Sequence, residues 1–187
     1  MTEITENNDK TLPDAIETFI LQWGDLGGAW GVNRSISQIH AYLYLADDPM
    51  TAEDLAKDLN MARSNVSNSI KELLAWNLIR RVPIRGDRRD HFEAETDVWE
   101  IAARIAAGRK AREIDPALAT LRDCVAMADD DDRINSAKRQ KLKAMMDFTA
   151  SLDRWYNQML SIPQEKRAAL LKLGAKVSSL LPSGRGK

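Results

Sequence analysis

The stretch "NMARSNVSNSIKELLAWNLIRRVPIRGDRRDHFEAET", residues 60–96, decides how the chain is read. Val66, Ile70, Leu73 and Leu74 recur at the spacing of one helix face, so they define a buried stripe. The other side carries Arg63, Ser64, Asn65, Ser67, Asn68 and Lys71, short or charged hydrogen-bonding side chains where a helix built only for stability would use better helix formers. Asn77, which tolerates the left-handed conformation, marks the stop. "LIRRV" and "DHFEAE" then read as strands, and "PIRGDRRD" between them carries a Gly-Asp turn. The pattern predicts a β-hairpin with an arginine-rich tip.

Working outward, Thr51 followed three residues later by Asp54 resembles a capping box. It opens the short helix "TAEDLAKDLN", with Leu55 and Leu59 inward and Asn60 at its end. Two helices joined by so tight a turn form a helix-turn-helix, and the hairpin that follows makes it a winged helix. Upstream, "SISQIHAYLYLAD" places Ile36, Ile39, Leu43 and Ala46 on one helix face. An earlier helix begins at Pro13 and repeats Ile16, Phe19, Ile20, Trp23, Leu26 and Trp30. Gly24, Gly27, Gly28 and Gly31 weaken its second half and mark close packing or a bend.

Downstream, Thr96 is positioned to cap "DVWEIAARIAAGRKAREI", a helix that Asp115-Pro116 kinks or restarts. "PALATLRDCVAMA" leads to the acidic loop Asp129 to Asp132. A last pair of helices follows, near 134–160 and over "PQEKRAALLKLGAKVSSLL", the latter opened by Ser161, Pro163 and Gln164. These helices carry more apolar stripe than one small domain needs, and a dimer interface uses it. The expected fold is mainly α: a winged helix-turn-helix with a two-stranded β-wing, plus N- and C-terminal dimerisation helices. Its parts are a flexible start over 1–11, the winged helix with its N-terminal helix over 12–96, a helical dimerisation region over 97–181, and a flexible tail over 182–187.

Lys+Arg at 27 against Asp+Glu at 28 gives a net charge of −1, which argues against a protein that coats nucleic acid indiscriminately. The distribution is uneven. Between Met61 and His91 there are seven basic residues and three acids, a local excess of four that leaves the rest of the chain at −5. Hydrophobic residues at 44% with no membrane-length apolar run, and an acidic, Asn-containing start without a signal pattern, lead us to expect a cytoplasmic protein with no membrane partner. One cysteine, Cys124, and two histidines, His40 and His91, supply no disulfide, metal set or nucleophile pattern. No cofactor and no catalysis are expected.

The order of "WGxNRS", "NVSNSIKEL", "WNLIRRV", "GDRRD" and "EAETDxW" resembles the GbsR branch of the MarR-type winged-helix transcriptional regulators, from Gly27 to Glu113. The resemblance implies a homodimeric DNA-binding repressor. Some members of that branch control uptake or synthesis of choline and glycine betaine. The C-terminal third carries no motif of the branch.

On this reading Arg63, Ser64, Asn65, Ser67, Asn68 and Lys71 belong to a recognition helix, where Arg suits guanine, Asn suits adenine and Ser suits base edges or phosphate. Arg85, Arg88 and Arg89 at the wing tip reach phosphates or a narrow minor groove. Arg80 and Arg81 alternate sides of a strand, so at most one of them contacts DNA, and Asp87 and Asp90 orient the wing arginines. The partner is double-stranded DNA bearing an inverted-repeat operator. Five tryptophans at helical spacing read first as core, and second as walls of a pocket for a quaternary ammonium effector. Trp23, Trp30 and Trp99 are the pocket candidates, because the resemblance puts them where the DNA-binding and dimer elements join. The rival reading of the whole is a winged helix used for protein contact, its arginines docking an acidic partner.

Overall fold

The computed structural model describes residues 12–173. The flexible ends expected over 1–11 and 182–187, and the last helix beyond Leu173, lie outside the described residues. The chain divides into two compact units, one ending at Asp97 and the other beginning at Val98.

In the first unit, helix α1 (Asp14–Ala29) packs on α2 (Arg34–Leu45). The glycines of α1 mark both close packing and a turn. A Cβ on Gly24 would stand 2.6 Å from Gln38 Cγ, and one on Gly27 would stand 2.7 Å from Ser37 Cβ, so the two helices approach to a distance only glycine permits. Gly31, at φ 77°, reverses the chain, and the Asn33 side chain then accepts from Ser35 N at 2.8 Å to cap α2. Those two residues explain the "WGVNRS" stretch.

Strand β1 (Met50–Thr51) precedes α3 (Ala52–Asp58), which a turn joins to α4 (Arg63–Ala75). The capping box is present: Thr51 Oγ1 accepts from Asp54 N at 3.2 Å, and Asp54 accepts from Thr51 N at 3.1 Å. Asn60 and Asn77 take the left-handed conformation, at φ 50° and 55°, and close α3 and α4. Strands β2 (Ile79–Val82) and β3 (His91–Ala94) form the hairpin, with Arg80 opposite Glu93 and Val82 opposite His91.

The sheet has three strands in the order β1-β3-β2, all antiparallel, where the sequence led us to expect two. Two residues are too few to display an alternating pattern. Thr51 is extended because it caps α3, and an extended residue beside β3 exposes the backbone groups that pair with His91. Ile39, Leu55, Val66 and Leu73, from three helices, are the largest fully buried side chains.

In the second unit, α5 (Val98–Arg109) begins one residue later than a Thr96 cap would require. It runs into a π-helical turn, Lys110–Ile114, and then α6 (Asp115–Asp129). The expected break at Pro116 is thus a widened turn. Proline has no N–H for the Arg112 carbonyl, and Asp115 N bonds to Lys110 O, five residues back. Lys110 Nζ lies 2.6 Å from Asp115 and 2.7 Å from Asp153, whose carboxylates raise its pKa. Asp153 belongs to α7 (Ser136–Ser161), which packs along α6; α8 (Gln164–Leu173) follows.

His40 on α2 is buried, and its Nε2 meets no hydrogen-bond partner among the described residues. Burial lowers its pKa to about 4, so the folded chain keeps the imidazole neutral. The unfolded chain takes up a proton near pH 6.5, and stability therefore falls as the pH drops from about 6.5 towards 4. Urea unfolding at pH 7.5 and pH 5 should differ by on the order of 2 kcal/mol from this group, and His40→Gln should remove that difference.

Candidate nucleic-acid interface

Helix α4 has two faces. Val66, Ser69, Ile70 and Leu73 are buried, and Ser64, Ser67, Asn68 and Lys71, at spacings of three, one and three, are exposed along the opposite stripe. Four of the expected residues therefore share one surface. Asn65 does not join them: it is half-buried, and its Nδ2 donates to Ser35 Oγ at 2.8 Å, tying α4 to the start of α2. Its amide is occupied by the fold. Arg63, the first residue of α4, donates to Glu53 at 2.6 Å. The position before it is Ala62, which offers no side-chain cap.

The wing turns at Gly86, with φ 88°, where Asp87 N bonds to Ile84 O. Asp87 then accepts from Arg89 N at 2.9 Å and from the Arg89 guanidinium at 3.0 Å. Those hydrogen bonds hold the Asp87 carboxyl far below its usual range and raise the Arg89 pKa. The buried His91 ring lies 3.1 Å from Arg89 O and 3.6 Å from Asp87, which closes the base of the loop. Arg85 and Arg88 are exposed and make no hydrogen bond or ion pair with any described residue.

The expected role of the wing acids is partly met. Asp87 orients Arg89, whereas Asp90 lies 3.5 Å from Arg81 rather than at the tip. Arg80 pairs with Glu93 across the hairpin, so both strand arginines face acids. A cleft of about 410 Å³ opens between α3, α4 and the wing, lined by Glu53, Ser67, Lys71, Arg81, Arg89 and Asp90 over Ile70 and Phe92. Glu53 is not among the residues expected from the sequence. The signal available was an acid in the first turn of the first helix of a helix-turn-helix, where the tight turn brings it near the start of the second.

The tryptophans divide between the units. Trp23 is half-buried and stacks on Phe19 with centroids 5.6 Å apart, as in a core, while Trp30 is 56% exposed at the end of α1. Trp99 is half-buried on α5. Among the described residues no group of three or more His, Cys, Asp or Glu is placed to hold a metal ion, and no helix is long and apolar enough to cross a membrane.

A helix-turn-helix with a basic wing is the architecture of a DNA-binding regulator, and residues 30–90, which contain it, match the MarR family. The chain is 26% identical over 85 residues to the HTH-type transcriptional repressor GbsR of Bacillus subtilis (strain 168), covering 46% of this chain and 47% of that one. It is 22% identical over 71 residues to the HTH-type transcriptional repressor OpcR of the same organism, 38% of each. The match spans about half the length of GbsR, or less for OpcR. A crystal structure of a transcriptional regulator superimposes with a TM-score of 0.54 at 22% identity, covering 79% of this chain and 96% of that one, which supports the fold.

Proposed function

We propose that the chain is a dimeric, sequence-specific DNA-binding regulator that represses transcription. The observation that carries this is the stripe Ser64, Ser67, Asn68 and Lys71, exposed on the helix whose other face is buried, beside a wing that presents Arg85 and Arg88. Buried apolar residues fix the helix, so the polar stripe meets a major groove as a rigid edge. Repression is supported by the names of the two relatives.

The dimer is supported by α7. Its positions Leu142, Met146, Thr149, Asp153, Tyr156 and Leu160 are buried or half-buried, while Met145, Phe148 and Trp155 are 56%, 60% and 53% exposed. With Leu152 and Met159 those three repeat at alternating steps of three and four, the seam of a second helix contact. A two-fold dimer buries this seam against its own copy, and an operator with half-sites one turn apart calls for two recognition helices about 34 Å apart. Sedimentation at micromolar concentration should give about twice the chain mass, and Phe148→Glu should return it to one chain mass.

Substitutions separate reading from positioning. Ser67→Ala or Asn68→Ala should cost on the order of 1–3 kcal/mol on the operator, an inverted repeat, and relax choice at particular bases. Arg85→Ala or Arg88→Ala should weaken binding to all duplexes and make the salt slope shallower by about one per lost phosphate contact. If both kinds of variant leave duplex binding unchanged, the arginines serve an acidic protein partner instead.

The same proposal includes a quaternary ammonium effector on Trp30, whose exposed indole offers a cation–π face. Choline or glycine betaine at millimolar concentration should quench tryptophan emission and weaken operator binding, and Trp30→Ala should abolish both effects. Absence of any response in the parent chain assigns Trp23, Trp30 and Trp99 to packing.

A further inference from the structure

Three arginines on the proposed DNA face are each held by a carboxylate: Arg63 by Glu53, Arg81 by Asp90 and Arg89 by Asp87. Lys71, Arg85 and Arg88 have no such partner among the described residues. The second group offers its charge to any phosphate. The first must release a carboxylate before it takes one.

Glu53 differs from the other two acids. Asp87 and Asp90 lie within a few residues of the wing and follow from its loop, whereas Glu53 comes from a separate helix and reaches Arg63 across the helix-turn-helix at 2.6 Å. Its charge is also felt by Arg89 on the wing, and it lines the cleft opposite Lys71 and Arg81. The Thr51–Asp54 capping box fixes the backbone beneath it. Arg63 itself stands at the first position of α4, where the positive end of the helix dipole opposes a cation and favours an anion. The Glu53 carboxylate answers both charges. A phosphate placed there would answer the same two, so carboxylate and phosphate compete for one seat.

We infer that Glu53 sets the affinity for DNA as an internal counter-ion, which occupies Arg63 in the free protein and yields it when Ser64, Ser67 and Asn68 seat α4 on matching bases. The inference rests on the DNA-binding reading above. On an unmatched duplex, exchanging one anion for another at Arg63 gains little, because both partners are exposed and the pair is weak. On the operator, base contacts hold α4 in the groove and the exchange goes to completion. Releasing the pair costs the operator complex in full and the unmatched complex no more, so Glu53 lowers affinity for both duplexes, and for the operator at least as much.

Glu53→Gln keeps the size of an exposed side chain, and an unchanged melting temperature verifies its fold. Anisotropy titrations of the full chain use two probes, a mixed-sequence duplex of about 30 base pairs and a duplex recovered by selection from fragmented genomic DNA; both are longer than the proposed half-site spacing. On the mixed duplex Glu53→Gln should tighten binding about two- to fivefold and steepen the salt slope by about one. On the selected duplex, where the pair is released in full, the gain should be at least as large. In an Arg63→Ala background Glu53→Gln should gain nothing. Unchanged or weaker binding to the mixed duplex in Glu53→Gln overturns the inference, as does an equal gain without Arg63, which would assign Glu53 simple repulsion of phosphate. Failure of the parent chain to bind any duplex overturns the DNA-binding reading itself and is recognised without a substitution.

Discussion

Burial of four side chains from three helices, Ile39 of α2, Leu55 of α3, and Val66 and Leu73 of α4, is the constraint on which the rest of the first unit depends. Fully burying such a side chain stabilises by about 1.5–3 kcal/mol, whereas an exposed ion pair contributes about 1 kcal/mol or less. Apolar burial therefore decides where α4 lies, and the charged pairs around it adjust to that position. Because Val66 and Leu73 point inward, Ser64, Ser67, Asn68 and Lys71 have nowhere to face but out. Recognition chemistry is displayed as the remainder of a packing solution.

Electrostatics refine that display. The wing is a short loop held by one carboxylate, Asp87, which takes a backbone N–H and the guanidinium of Arg89 at once. Rigidity at its base leaves Arg85 and Arg88 projecting from a defined platform, with Gly86 providing the reversal. In the second unit an ion pair also joins elements: Lys110, half-buried in the π-helical turn, bridges Asp115 and Asp153 and so ties that turn to α7.

Features encoded by neighbours in sequence were legible before any coordinates. The Thr51–Asp54 capping box, the stops at Asn60 and Asn77, the stripe Val66, Ile70 and Leu73, and the hairpin around Gly86 each involve residues a few positions apart, where local sterics and hydrogen bonding dominate. Pairings across longer stretches were not. The Asn65 bond to Ser35 spans thirty positions and Arg63 to Glu53 spans ten. Both remove from free solution a side chain that the sequence alone presents as available. Strand β1 was invisible for a related reason, since two residues acquire their strand character only from the partner strand beside them. At Pro116 the sequence located the break, while the π form of it depends on how Lys110 and Asp115 settle against α7.

The helices differ in how their first turns are closed. Asn33, Thr51 and Asn135 lend side-chain oxygens to α2, α3 and α7, but α4 begins after Ala62, which has none to lend. An alanine there forgoes about 1 kcal/mol that a Ser or Asp would supply. The free protein thus carries, on an exposed edge, a helix whose first turn has no side-chain cap. If that edge meets DNA as proposed, a phosphate oxygen completes the turn, and the nucleic acid serves as the terminal residue that the polypeptide leaves out.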